Sequence, residues 1–347
     1  MALDPSLWVD EVHASDPDER HPLITFGLDI MRRLIVVLAV QLLAVACSDS
    51  SGIGSAPGHG PVSPPSRLFV SASAAFDADR GELVLLALVE TPSGPTDETW
   101  IWKDSWSQLH PAHPPTPPRN PMLVDDPADH AVLMYGGTYS PPVAGRGKEF
   151  ADMWSWDGED WHQVPLAMSP SGHPSGYAYL PSKHELLMSF LGNPFADSGT
   201  YRWDKTAWTR ISNGAFPEGA VAVDAGSGAL ISYMGRRHGC VPDPCWSDVS
   251  RTEISDGNGW AIVGGGSPEP AAGNLVTDPT DGGVLMLNEL GHTWLWMKGM
   301  WWKMTSQGPS PSSNGFLYSD GTRVWYQTEP DYPQQRWQWD GRAWRKG

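Results

Sequence analysis

The chain has 347 residues, 40% of them apolar and 18% charged, with 37 Gly and 33 Pro. It is too apolar for a disordered chain, too long for a disulfide-held mini-protein and too rich in turn residues for long helices. A net charge of −17 argues against a phosphate-tracking nucleic-acid binder, which needs a basic face to displace counterions.

In chain order, residues 1–30 carry seven acids and a single arginine, an unfavourable preface to an export signal. They are expected to be an extension ahead of the true start at Met31. From there Met31-Arg32-Arg33 precedes 13 mostly apolar residues, 34–46 (LIVVLAVQLLAVA). That run is too short for a membrane span and suits the apolar core of a signal peptide. Its end, Ala44-Val45-Ala46-Cys47, resembles the lipobox of bacterial lipoproteins, which implies cleavage before Cys47 and acylation of its thiol. Residues 47–65 are rich in Ser, Gly and Pro and read as a tether. The expected location is therefore the bacterial cell envelope, lipid-anchored, and Ser48 after the cysteine favours the outer membrane.

Residues 66–347 repeat. A Trp-x-Trp pair followed shortly by a further Trp occurs at Trp100/Trp102/Trp106, Trp154/Trp156/Trp161, Trp294/Trp296/Trp301 and Trp337/Trp339/Trp344, with Tyr201/Trp203/Trp208 as a variant. Ahead of each lies a short apolar segment, a turn and an apolar run, such as AAFDADRGELVLLALV and MLVDDPADHAVLMYGG. There are six such phrases, the fourth with SRTEISDGNGW in place of the Trp pair, and the steps between units are 54, 47, 51, 42 and 43 residues. Each unit has the makings of four antiparallel strands: a short strand ending near Asp77, Asp125, Leu180, Asp224, Asp278 or Ser319, the apolar run, the Trp-x-Trp strand and a strand begun by the last Trp. Asp157-Gly158 and Asp340-Gly341 supply hairpin turns between the last two. Repetition of four strands at this period predicts an all-β propeller, six blades of four strands.

Residues 132–137 (VLMYGG) and 152–164 (DMWSWDGEDWHQV) resemble the bacterial galactose-oxidase-type kelch repeat, an apolar strand, Gly-Gly, a variable loop and D-x-W-x-W-D-G-x-x-W. The resemblance extends over about residues 66–347 and implies a kelch-like propeller. It implies no oxidase activity: that enzyme needs a thioether-linked Cys and Tyr plus copper ligands, and nothing here matches them.

The repeated Trp residues are expected to pack between blades, leaving Trp246 and Trp302 as surface candidates. Antiparallel connectivity puts the short first-to-second and third-to-fourth turns on one side of the ring. The long second-to-third loops and the blade-to-blade connections fall on the other, and a ligand is expected there. Tyr139, Arg146, Lys148, Arg236, Arg237, His238 and Trp246 are the candidate binding residues of those loops. Cys240 and Cys245 are expected to form a disulfide within the 235–247 insertion. No zinc helix, nucleophile elbow or phosphate loop is present, so no catalytic residue, cofactor or metal is assigned. The reading that results is a non-enzymatic, monomeric scaffold for an envelope protein or glycan, held to the membrane by its lipid, with no nucleic-acid partner. The alternative is a carbohydrate-active hydrolase or lyase with a site on the long-loop face.

Overall fold

The computed structural model describes residues 68–347 except 116–118, 140–147, 171–172, 182, 192–198, 214–219, 239–245, 258, 265–267, 306, 311–314 and 331. Six four-stranded antiparallel sheets form the blades, each drawn from one continuous stretch of chain. The first strands are β1 (Leu68–Asp77), β5 (Met122–Asp126), β11 (His173–Leu180), β15 (Ala220–Asp224), β19 (Gly273–Thr277) and β23 (Gly315–Ser319). The second are β2 (Glu82–Thr91), β6 (Ala131–Tyr135), β12 (Glu185–Leu191), β16 (Ala229–His238), β20 (Val284–Asn288) and β24 (Val324–Thr328). The third are β3 (Gly94–Trp102), β9 (Met153–Trp156), β13 (Gly199–Trp203), β17 (Trp246–Ser255), β21 (Thr293–Met297) and β25 (Arg336–Trp339). The fourth are β4 (Trp106–Leu109), β10 (Trp161–Val164), β14 (Trp208–Ser212), β18 (Trp260–Val263), β22 (Met300–Thr305) and β26 (Trp344–Lys346). Blade 2 adds a two-stranded hairpin, β7 (Thr138–Tyr139) with β8 (Lys148–Glu149), between its second and third strands. The predicted six-bladed, all-β architecture is the observed one.

The second strands explain the unalternating apolar runs. Leu83 through Val89 are buried without interruption, because both faces of a blade are covered by its neighbours. Each such Leu or Val contributes about 1.5–3 kcal/mol relative to exposure. In the Trp-x-Trp strands the period of two divides the faces: Trp296 packs with Ile231 and Tyr233 of blade 4, whereas Leu295 packs with Tyr326 and Trp339 of blade 6. In blade 4 the place of the missing second Trp is taken by the buried Ser255, opposite Trp260, and not by Ile254, which stands where Leu295 does in blade 5 and packs on the blade 4–5 side.

The last Trp of a unit also ties its blade to the one before. The indole N–H of Trp161 donates to Thr99 Oγ1 (3.0 Å), that of Trp301 to Thr252 (2.8 Å) and that of Trp344 to Thr293 (2.8 Å). Trp106 does the same for ring closure, donating to the Thr328 carbonyl of blade 6 at 3.0 Å. Leu83, Trp102 and Tyr318 form the buried core of that closing seam. Among the described strands, blade 6 thus closes on blade 1 by packing and this indole bond, without an exchanged strand.

Candidate functional site: the two mouths of the central channel

The first strands contact one another in sequence around a ring, β1, β5, β11, β15, β19, β23 and back to β1, and so surround the axis. Two cavities lie along it, of about 620 and 540 Å³. Ala74, Tyr177 and Tyr318 line both and form the waist between them.

The larger cavity opens among the starts of the first strands, on the long-loop side, and its wall is mainly polar. Ser71 Oγ donates to Asn120 Oδ1 at 2.8 Å and accepts the Asn120 N–H at 2.9 Å, while Ser73 Oγ donates to the Pro121 carbonyl at 2.9 Å. This pins the connection from blade 1 to blade 2 against the innermost strand. Asn120 has φ 51°, a left-handed conformation that Asn tolerates better than most residues. Asn274, Phe316 and the buried Glu329 complete the mouth. Hairpins of two opposite blades are lengthened on this side. In blade 1 the ladder runs to Thr91–Gly94, and in blade 4 it runs to His238–Trp246. Asp97, on the blade 1 hairpin, has no hydrogen-bond partner for either carboxylate oxygen among the described residues, and burial pushes its carboxyl up to about 8.

The smaller cavity opens among the ends of the first strands, on the short-turn side. The penultimate residue of each first strand faces it: Phe76, Asp125, Tyr179, Val223, Val276 and Tyr318. In register with the second strands the equivalent positions are Phe76, Asp125, Tyr179, Val223, Thr277 and Ser319, all of which line this cavity, and blade 2 alone has a carboxylate there. Burial, then the neighbouring Asp77, and further Asp79 and Asp126, push the Asp125 carboxyl up to about 7, against a hydrogen bond from the Ala78 amide. The turns beyond are built by aspartates. Asp77, Asp126, Asp224, Asp278 and Asp320 each accept a backbone N–H two or three residues on, which explains the recurrent Asp at strand ends. The Asp77-Ala78-Asp79 run is such a turn, with Arg80 Nη1 on Asp77 Oδ2 at 2.8 Å.

The sequence-derived candidates are divided between two hairpins. Tyr139 pairs with Lys148 in the β7–β8 ladder of blade 2. Arg236, Arg237 and His238 pair with Asp248, Ser247 and Trp246 in the lengthened β16–β17 ladder of blade 4. Blade 3 stands between the two groups. Arg146, Cys240, Cys245 and Cys47 lie outside the described residues. Trp302 is half exposed on the outermost strand of blade 5, away from the channel. The sequence reading missed both mouths. Aligning the six first strands on the residue that opens the turn, Asp77, Asp126, Leu180, Asp224, Asp278 and Asp320, would have isolated Asp125 as the one carboxylate of its ring.

Among the described residues no group of three or more His, Cys, Asp or Glu is placed to hold a metal ion. Glu269 is engaged in structure: it accepts from His292, from Asn288 Nδ2 at 2.9 Å and from the Trp294 indole at 3.3 Å, and so fixes the blade 4–5 connection to blade 5.

The described strands define a six-bladed β-propeller. No family model matches the chain, and no curated protein does. Among solved structures it is similar to a putative oxidoreductase (glucose dehydrogenase) of Thermus thermophilus, with 15% identity over 76% of this chain and 93% of that one, TM-score 0.41. It is also similar to a mutant Aleuria aurantia lectin in complex with Fucα1-6GlcNAc, with 12% identity over 80% and 93% of the two chains, TM-score 0.46. A third is YCF48 bound to D1 peptide, with 15% identity over 79% and 91%, TM-score 0.39.

Proposed function

We propose that the chain is a non-enzymatic binding scaffold of the bacterial cell envelope, a kelch-like propeller anchored by a lipid on Cys47 and presenting its long-loop mouth to a glycan or an envelope protein. The observation that carries the binding role is the 620 Å³ cavity with a wall of hydroxyl and amide groups, ringed on its outer side by the hairpins of blades 1, 2 and 4. Hydroxyls and amides held at this mouth suit a hydroxyl-rich ligand, and the partly exposed Tyr177 and Phe316 supply ring faces on which a pyranose stacks. The anchor rests on the charged and apolar leader of residues 31–46 and the small residues before Cys47. A hydrolase or lyase would need paired carboxylates converging on the substrate, and the described lining of this mouth offers Glu329.

The test is capture by the full-length chain on a glycan array and from solubilised envelope, beside a variant in which 239–245 is replaced by Asn-Gly between the paired His238 and Trp246. Specific capture that the shortened hairpin weakens supports the assignment; a folded chain that captures nothing overturns it. The anchor is tested separately: Cys47→Ser is expected to move the protein from the membrane to the soluble fraction.

A further inference from the structure

We propose that the short-turn mouth of the channel is a second, independent binding site, and that it takes a small organic cation: an ammonium group with an apolar body. The cavity holds about 540 Å³, and Phe76, Tyr179, Tyr318, Val223 and Val276 line it together with the carboxylate of Asp125. A mainly apolar lining favours the methylene or methyl groups of such a ligand, and the faces of aromatic rings attract a cation at about 0.5–2 kcal/mol each. Of the two carboxylates in the lining, Asp320 is taken up by Thr322, the Arg323 amide and the Trp325 indole, so Asp125 fixes where the charge sits. Among the described residues no lysine or arginine lines this cavity.

The electrostatics of the neighbouring elements agree. On the blade 1 side, Asp125 faces Asp77 and Asp79, of which Asp77 is paired with Arg80 and Asp79 is hydrogen-bonded to His130 at 2.6 Å. On its own blade lie Asp126 and, one turn out, Asp129, which is paired with Lys205 of blade 3. Tyr179 approaches from blade 3, and its hydroxyl is raised chiefly by burial. Across the mouth, burial would raise the Asp320 carboxyl, but bonds from Thr322 and the Trp325 indole outweigh it and hold it low. Acids therefore outnumber cations around Asp125, and its own charge is disfavoured when the pocket is empty. A bound ammonium reverses that: it supplies the missing counter-charge, and binding above pH 7 needs no proton release. Below pH 7 the cation must displace a proton.

The experiment is ligand-observed NMR titration of the full-length chain with choline, its neutral isostere 3,3-dimethylbutanol and the anionic 3,3-dimethylbutanoate. Choline is expected to bind at pH 8 and roughly 30-fold more weakly at pH 5.5, the ratio of ionised Asp125 at the two pH values. The neutral and anionic analogues are expected to bind at least tenfold more weakly than choline at pH 8. Asp125→Asn is expected to abolish the preference for choline while the protein stays folded by its melting transition. Tyr179→Leu, which keeps the carboxylate, is expected to weaken choline several-fold at both pH values. Equal affinity for choline and 3,3-dimethylbutanol, an unchanged Kd in Asp125→Asn, or no choline binding at pH 8 would each overturn the proposal. The glycan and envelope capture assigned to the opposite mouth does not depend on either variant.

Discussion

The two ends of the channel are made from the same six strands and differ in what adjoins them. At the long-loop end the strands begin, and they are met by connections that must be held: Ser71 and Ser73 are spent on Asn120 and Pro121. At the short-turn end the strands finish in tight turns whose aspartates satisfy backbone N–H groups locally. The lining there is mainly apolar, with Asp125 and the turn carboxylate Asp320. Each end has one carboxyl pushed far up, for different reasons. Burial alone acts on Asp97, whereas burial and then the charges of Asp77, Asp79 and Asp126 act on Asp125. A ring of like units therefore makes two unlike sites, because turns concentrate acids at one end and long connections concentrate hydroxyls and amides at the other.

The strongest way to break this separation is at the waist. Tyr318 lines both cavities, belongs to the buried closing seam, stacks on Phe76 at 5.8 Å between ring centroids and accepts from Arg336 Nη2 at 3.2 Å. Tyr318→Ala is expected to cost about 3–5 kcal/mol in urea unfolding, the range for removal of a buried aromatic side chain. A loss below about 1 kcal/mol would mean that blades 6 and 1 are not held together at this seam.

The two raised carboxyls sharpen the comparison through pH. A carboxyl whose folded pKa lies above its unfolded value of about 4 makes the native state bind the extra proton, so stability is greatest at low pH and falls as pH rises through the folded pKa. The window is about pH 4–8 for Asp97 and about pH 4–7 for Asp125. Asp97→Asn and Asp125→Asn are both expected to raise Tm by several degrees at pH 9 and to leave it nearly unchanged at pH 4, by differential scanning calorimetry. Salt separates them. Added to 1 M, it should shrink the gain in Asp125→Asn, where charges contribute, and spare that in Asp97→Asn, where desolvation acts alone. A gain at pH 4 equal to that at pH 9 in either variant would show that titration is not its cause.

The fold was legible because it repeats. Trp-x-Trp spacing set the third strand, the unbroken apolar run set the second, and Asp-Gly pairs set the turns, with Gly158 and Gly341 at φ 100° and 90°. In the irregular fourth unit the equivalence read from sequence was one residue off: the buried Ser255, opposite Trp260, holds the place that a Trp occupies elsewhere, and Ile254 faces the other side of the blade. The mouths were less legible. Phe76, Asp125 and Tyr179 share a ring only once the first strands are in register at their ends, and one residue of slip in blade 2 hides it: that strand runs to Asp126, one beyond the position read from sequence. The Ser71–Asn120 tie joins residues 49 apart and has no local signature. The loop candidates drew attention by charge, yet they sit on separate hairpins of blades 2 and 4.

Asn120 offers a milder test at the long-loop end. Asn120→Gly keeps the left-handed backbone, which glycine adopts freely, and removes the side-chain acceptor of Ser71. The expected cost is about 1 kcal/mol, with unchanged choline binding at the far mouth. A change in that binding would mean that the waist transmits strain between the two cavities.

The smallest effect is expected where both partners are exposed. His130 and Asp79 meet at 2.6 Å on the short-turn rim, with side chains 75% and 39% exposed. Water competes for both, so His130→Asn, which also tolerates the φ of 55° at that position, should change stability by less than about 0.5 kcal/mol. Its consequence should appear instead in ligand binding. With His130 gone, Asp79 loses a hydrogen-bond donor, and the field of Asp79 at Asp125 is less compensated. Choline affinity at pH 8 should then rise slightly or stay level. A clear fall would mean that the rim carboxylates act on the mouth through structure rather than charge.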